Sequence, residues 1–314
     1  MTRWLSLGVL LAASVGLQPR AESADKDVTP LTPAAMEKLP PLNPQGTVLL
    51  DKPGRRLVLK GDVCLRDGLL EMLVCLKRTK EHEAIFSVDT KAQIVHAGLI
   101  ALGVEPGRPV QFQPDYKAAT GPVIDVFVSW TDAEQKPHRV NARSLVRNSI
   151  RRYWVEKLDK LPTGLKAPPD SELRVDEKRS ELLWYGAMSD AQRDEMLKLS
   201  KDPAYQKAIR SFYQQTRVSE LKADWVFGGS GFYVDPKTGD KFYQAEEGNL
   251  ICVANFSSAT IDLAVPSSAT NDDLMYEAFT ERIPPVGTPV VIELVPRKTD
   301  EKPVRTDDKP AAKK

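Results

Sequence analysis

Two of the chain's three histidines, His82 and His96, stand fourteen residues apart, and a carboxylate, Glu83, and an ammonium, Lys80, flank the first of them. Imidazole is the commonest metal ligand, and a neighbouring carboxylate either ligates the same ion or orients the ring. His82, Glu83 and His96 are therefore a candidate site for a divalent transition metal, and a metal-dependent enzyme is the rival to a non-enzymatic role. No H-E-x-x-H or facial-triad spacing accompanies them, so no cofactor is predicted from spacing. Ser230, in Gly228-Gly229-Ser230-Gly231, has Phe232 where a nucleophile elbow needs glycine. The run reads instead as a glycine turn that lets the backbone pass Trp225 closely, and no catalytic residue is assigned. Arg143, Arg147 and Arg151 recur every fourth residue, with His138, Arg139 and Arg152 nearby. On a helix they form one basic stripe, a candidate partner-binding surface for an unidentified envelope protein or an anionic envelope component.

The three cysteines, Cys64, Cys75 and Cys252, match no C-x-x-C metal or iron–sulfur spacing. If Asp67-Gly68 is the two-residue turn of a hairpin, Arg66 opposes Leu69, Cys64 opposes Glu71 and Cys75 opposes Lys60. The same register gathers Leu59, Val63 and Leu65 with Leu70, Met72 and Leu76 on one apolar face, as a half-buried hairpin needs. Cys64 and Cys75 are then kept apart. Buried free thiols are expected, with a bridge from either strand to Cys252 left open.

Arg3 and the apolar run Leu5–Leu17 open the chain. A helix of that run spans about 20 Å, short of the hydrocarbon core of a bilayer. Ala21-Glu22-Ser23 places small residues where a signal peptidase reads, so residues 1–23 are expected to be an export signal cleaved after Ser23. The protein is accordingly placed in the periplasm or cell envelope, with no transmembrane segment in the mature chain, in a compartment that permits thiol pairing. Lys and Arg number 44 against 43 Asp and Glu, and this balance gives no long-range attraction for nucleic acid. With 314 residues, 41% of them hydrophobic, the chain can fill a core, which argues against wholesale disorder and collagen-like or coiled-coil architecture.

Residues 24–45 hold five prolines and read as a linker. Strand patterns follow at Thr47–Leu50, through the hairpin Leu57–Leu76, and at Ala84–Val88, Val110–Gln113 and Ile124–Trp130. Asp89 or Thr90 is placed to cap a helix that runs to about Leu102, stops at Gly103 and carries His96 beside its Ala92/Val95/Leu99 face. From Asn141 the period turns helical: Val146, Ile150, Tyr153 or Trp154, and Leu158 recur on one face. Leu173–Val175 and Leu182–Tyr185 suit a small hairpin. Ser189 with Gln192 makes a capping box, and Asp202-Pro203 opens a helix striped by Tyr205, Ala208, Ile209 and Phe212. Strand patterns return at Trp225–Phe227, Phe232–Val234, Phe242–Ala245, Leu250–Asn255, Ile261–Val265 and Val290–Val295, as a meander. The expected fold is α+β, a mostly antiparallel sheet domain with one packed helix plus a mainly helical insertion. Its parts are 46–146, the insertion 147–222, a β-rich part 223–297, and a disordered charged tail 298–314.

Several word-like stretches also carry a resemblance: Gly46-Thr47-Val48, Leu70-Glu71-Met72, Lys80-Glu81-His82-Glu83, His96-Ala97-Gly98-Leu99 followed by Leu102-Gly103, and Trp225-Val226-Phe227-Gly228-Gly229-Ser230. Together they resemble the YdjY-type domain, a family of exported bacterial proteins without a settled biochemical role, in its planctomycete-like version. The resemblance spans 46–146 and 225–296 and makes the helical stretch between them an insertion. It implies an envelope location and the α+β core. Some relatives are labelled four-iron proteins, but such a cluster takes four thiolates, so no iron–sulfur cluster is implied here. The expected function is a non-enzymatic binding or interaction module of the envelope.

Overall fold

Short runs of β-branched, aromatic and leucine side chains set the architecture of residues 30–267 and 274–298, the residues described by the computed structural model. The expected leader, 1–23, and all of the expected tail except residue 298 lie outside them. Helix α1 (Pro33–Met36) precedes β1 (Val48–Asp51), β2 (Arg56–Val63), β3 (Met72–Leu76) and β4 (Ala84–Val88). Helix α2 (Ala92–Ala101) follows, then β5 (Val123–Thr131) and β6 (Pro137–Asn141). A 3-10 turn, Ala142–Leu145, leads into β7 (Val146–Asn148), β8 (Tyr153–Lys157), β9 (Leu173–Asp176) and β10 (Glu181–Tyr185). After α3 (Asp190–Met196) and α4 (Pro203–Gln215) come β11 (Trp225–Phe227), β12 (Phe232–Val234), β13 (Lys241–Tyr243) and β14 (Ile251–Cys252). The last strands are β15 (Ile261–Leu263), β16 (Tyr276–Ala278) and β17 (Pro289–Pro296).

Eight of these strands close on themselves in the order β2-β17-β5-β11-β15-β14-β3-β4, with β4 pairing back to β2. Closure leaves no free edge in the ring. Strands β1 and β6 branch from it, paired to β2 and β5. The ladders β3–β4 and β14–β15 are parallel, and the remaining ones are antiparallel. An eight-stranded barrel is just wide enough for side chains to fill. Alternation does the filling: Leu59, Ile292 and Val128 line up across three strands, as do Leu57, Leu294 and Val126, all six fully buried. A second core holds Leu158, Leu173, Leu182, Trp184, Met196, Tyr205, Ile209 and Phe212, where the sheet β8-β10-β9 meets α3 and α4.

The expected α+β fold with a packed helix and a mainly helical insertion is overturned: the chain is mostly β, a closed eight-stranded barrel with only four short α-helices among the described residues. Two local ambiguities account for it. Apolar residues four apart satisfy a helix, but they also share the parity of a strand. Val146 and Trp154 took the second option. Exposure alternates along Tyr153–Lys157, and the strand-favouring triplet Tyr153-Trp154-Val155 pairs with β10 instead of coiling. The hairpin about Asp67-Gly68 is also absent. Alternation does not name the neighbouring strand: β2 pairs with β1, β17 and β4, and Met72 packs with Cys75 and Cys252, apart from Leu59, Val63, Leu70 and Leu76. Nor is there a meander: β11 pairs with β15 and β5, while β12 and β13 form a separate hairpin. Val110–Gln113 supplies only isolated bridging at Gln111. At the other end of the chain, the segment expected as linker is already docked by Leu42 and Asn43. The Leu42 N–H bonds to Val48 O, and buried Asn43 accepts the N–H groups of Thr47 and Val48.

Candidate functional site

Helix α2 buries Ala92, Val95, Gly98 and Leu99. Gly98 is required by contact, because a Cβ there would stand 2.6 Å from the Leu57 side chain. That seating leaves His96 half-buried at the edge of the buried face. Its Nδ1 lies 2.8 Å from Tyr243 Oη, and the Tyr243 hydroxyl donates to Gly229 O at 3.0 Å. With the Tyr243 hydroxyl donating to Gly229 O, the proton of the first bond falls to Nδ1. Burial lowers the His96 pKa, opposed by a backbone hydrogen bond to Gly229, which favours the neutral ring. Phe227 and Tyr243 present ring edges to it at 5.0 and 5.4 Å between centroids.

Neither Asp89 nor Thr90 caps α2. The Glu246 carboxylate does so from far along the chain, accepting from Ala92 N at 3.1 Å and Gln93 N at 3.0 Å. Beside it opens a cavity of about 450 Å³ lined by Tyr233, Phe242, Tyr243, Gln244, Glu246 and Glu247. The hairpin β12–β13 carries Phe232, Tyr233, Val234 and Phe242 around it, each roughly half exposed (56, 52, 49 and 53%). The glycine run entering this hairpin makes its close approach to Pro106, not Trp225: a Cβ on Gly229 would meet Pro106 Cβ at 2.4 Å. Ser230 Oγ donates to Ser258 O at 2.7 Å, so the hydroxyl is engaged structurally.

His82 and Glu83 come together, with Nε2 3.7 Å from Oε2, but His82 is largely exposed and Glu83 has a stronger partner. Lys80 Nζ lies 3.1 Å from Glu83 Oε1 and 3.0 Å from Glu71 Oε2, above the Phe256 ring. Burial works against the Lys80 charge, yet the two carboxylates raise its pKa on balance, while burial raises that of Glu71. The contacts of His96 lie with Tyr243, Phe227 and Gly229. Among the described residues no group of three or more His, Cys, Asp or Glu is placed to hold a metal ion. Glu71 and Phe256 escaped the sequence reading because only the β3–β4 and β3–β14 pairings bring them to Lys80.

The arginine stripe depended on a helix that does not form, and each member faces its own carboxylates. Arg143 binds Asp224 and approaches Asp125 at 3.7 Å. Arg147 binds Glu277 at 2.8 Å, and Arg151 binds Asp67 at 2.6 Å. Arg139 reaches Glu293 at 2.7 Å over the Phe127 ring, and Arg56 reaches the other oxygen of Glu293 at 2.6 Å and Asp51 at 2.7 Å. His138 stacks on Trp130 and bonds Asp132 at 2.6 Å. Arg56, Arg139 and Glu293 tie β2, β6 and β17 together, and Arg147 with Glu277 joins β7 to β16. The sequence shows their charges but not the partners, which lie up to 237 residues away.

No described helix is long and apolar enough to cross a membrane. Comparison with curated proteins and with solved structures returned no match. A family model for the YdjY domain matches residues 48–157 and 190–295, more than half of the chain. The break between the two matched parts holds β9 and β10, so the barrel and the helices α3 and α4 fall within the match. On that match the chain belongs to the YdjY domain family.

Proposed function

We propose that this protein is an exported module of the periplasm or cell envelope that acts by binding rather than by catalysis, and that hairpin β12–β13 meets its partner. The observation that carries this reading is the exposure of Phe232, Tyr233, Val234 and Phe242 on one two-stranded hairpin beside a cavity. Contiguous aromatic exposure of this kind marks interaction surfaces, and the edges of a two-stranded hairpin can accept an extended segment of another protein. Glu246 and Glu247 on the cavity wall favour a protein partner over an anionic envelope component at this place. The arginines that an anionic polymer would need are already paired within the chain. Export itself rests on Arg3, Leu5–Leu17 and Ala21-Glu22-Ser23. A metal-dependent enzyme built on His82, Glu83 and His96 has less support, since the three side chains do not converge.

The test compares the tagged full chain with a Phe232→Ser/Phe242→Ser variant after crosslinking in intact cells and fractionation. The reading expects both proteins in the envelope or periplasmic fraction, shortened by the leader, and an envelope protein crosslinked to the native chain but not to the variant. Identical crosslinks from the two proteins, with the variant's melting temperature unchanged, would discard the hairpin as the binding surface. Retention of the leader in the cytoplasm would discard export.

A further inference from the structure

Hairpin β12–β13 has two faces of different character. Tyr233 stands opposite Phe242 in its ladder, so the two rings share one face. That face lines the cavity, together with Tyr243 at the end of β13 and Gln244, Glu246 and Glu247 in the 3-10 turn after it. Phe232 stands opposite Tyr243 and shares the reverse face with Val234, and the Phe232 and Tyr243 rings tilt together at 5.2 Å between centroids. At about 450 Å³ the cavity falls within the usual range of small-ligand sites, about 300–1,000 Å³.

The wall combines three aromatic rings with two carboxylates, and none of the lining residues is basic. The carboxylates are not equivalent. Glu246 holds the first N–H groups of α2 with both oxygens, where the positive end of the helix dipole offsets its charge. Glu247 is exposed, and among the described residues it has no hydrogen-bond or ion-pair partner. His96, bonded to the Tyr243 hydroxyl, adds no competing positive charge near neutral pH, because burial lowers its pKa. An aromatic face attracts a cation through its quadrupole, and the Glu247 carboxylate supplies the counter-charge. An anion would be repelled here, and a purely apolar group would gain nothing from Glu247.

We propose that the cavity takes the cationic side chain, lysine or arginine, of an extended segment of the partner protein, between the Tyr233/Phe242 rings and Glu247. This rests on the hairpin being the binding surface. Neither of its strands has a second partner among the described residues, so each outer edge can accept another strand. Successive side chains of an added strand point to opposite faces. A cation directed at Tyr233 and Phe242 therefore places its two neighbours on the Phe232/Val234 face, which suits apolar residues. The partner segment thus has the pattern apolar, cationic, apolar. Main-chain bonds to the edge hold it, and the cation in the cavity fixes its register.

The test follows backbone amide NMR signals of the full chain as three acetylated, amidated pentapeptides are added. They are Thr-Val-Lys-Val-Thr and its copies with norleucine or glutamate at the centre. The lysine peptide is expected to shift signals within residues 232–247 and to bind about 3- to 30-fold more tightly than the norleucine peptide, with glutamate weakest. Glu247→Gln should bring the lysine and norleucine affinities together, and added salt should act in the same direction. Equal affinity of the native chain for the two peptides overturns the proposal, as does an unchanged preference in a Glu247→Gln variant of native melting temperature. In either case, shifts at 232–247 that vanish in Phe242→Ser keep the hairpin as the binding surface without a cation site. Lysine-peptide shifts confined to other residues, or none at all, also overturn the proposal, and the crosslinking comparison then decides the hairpin separately.

Discussion

Asp262, on β15, is only 1% exposed, and burial pushes its carboxyl pKa up to about 7 although Leu263 N, Phe256 N and the Asn255 amide all donate to it. Through Asn255, which also accepts from Tyr116 Oη and Ser267 N, the carboxyl fastens the chain that follows β14. A folded-state pKa above the unfolded value means that the native state holds a proton the unfolded chain has released. The stabilising contribution is complete below about pH 4 and is lost as pH rises toward 7. The slope from one group is at most about 1.4 kcal/mol per pH unit. Urea titrations between pH 4.5 and 7.5 should therefore show stability falling with pH in the native chain and a flatter profile in Asp262→Asn. Equal slopes in the two proteins would show that Asp262 titrates normally. Nothing in the sequence marks this residue: Asp262 sits in a strand pattern where an aspartate reads as outward-facing. Lys80, His82 and Glu83 stood out by type and spacing, and the structure does place them side by side. Residue type thus disclosed the Lys80 cluster but neither its partner Glu71 nor the separate setting of His96.

Among the elements, α2 shows how a long-range contact replaces a local one. Its sequence offers Asp89 and Thr90 as caps, but Lys91 occupies the cap position and makes no side-chain bond to the helix. Glu246, in the 3-10 turn Gln244–Glu247, takes over with both carboxylate oxygens on two orphan N–H groups. A charged acceptor at a helix N-terminus also meets the favourable end of the helix dipole. Replacing Glu246 by Ala should cost about 0.5–2 kcal/mol in chemical denaturation. Glu246→Gln, which retains one acceptor oxygen, should lose less. If Gln and Ala variants unfold together with the native chain, the carboxylate does not hold α2. The two later helices were legible because their caps are local. Ser189 with Gln192 forms the capping box, Asp202 accepts from Tyr205 N ahead of Pro203, and Tyr205, Ala208, Ile209 and Phe212 are all buried. The strand Ala84–Val88 was likewise legible, being a short run, apolar but for Ser87, bounded by Glu83 and Asp89. The stretch 146–158 was not, because its spacing of four serves two periodicities and only the presence of β16 and β10 decides between them.

At the scale of the whole molecule, the seam between β2 and β4 converts a curved sheet into a barrel, and it consists of three residue pairs: Gly61 with Val88, Asp62 with Ser87, and Val63 with Phe86. Strand β3 lies between them in sequence and pairs with β4 but not with β2, and β2 also pairs with β17 near the end of the described chain. Such a closure leaves no trace in local periodicity, which is why a mostly antiparallel sheet, and not a barrel, was the expectation. Gly61 shows that the two strands approach closely. A Cβ at this position would lie 2.5 Å from the Ser87 carbonyl oxygen and 3.0 Å from Val88 Cγ2, and a backbone carbonyl in a ladder has little freedom to retreat. Gly61→Ala should therefore cost about 1–3 kcal/mol, the usual range for forcing a methyl group into filled space. The loss should be local before it is global: amide exchange should quicken along β4 while the β17–β5 ladder stays protected. Asp62→Ala is the matching control. It alters the same seam by removing an ion pair with Lys77 whose side chains are 36 and 42% exposed, an interaction worth about 0–1 kcal/mol. If Gly61→Ala proves no more costly than Asp62→Ala, or if β5 and β17 open as early as β4, then the seam does not close the barrel under strain and the wall must be held elsewhere. The outer ion pairs of Arg56, Arg139 and Glu293, which stitch β2, β6 and β17, would then be the next place to look.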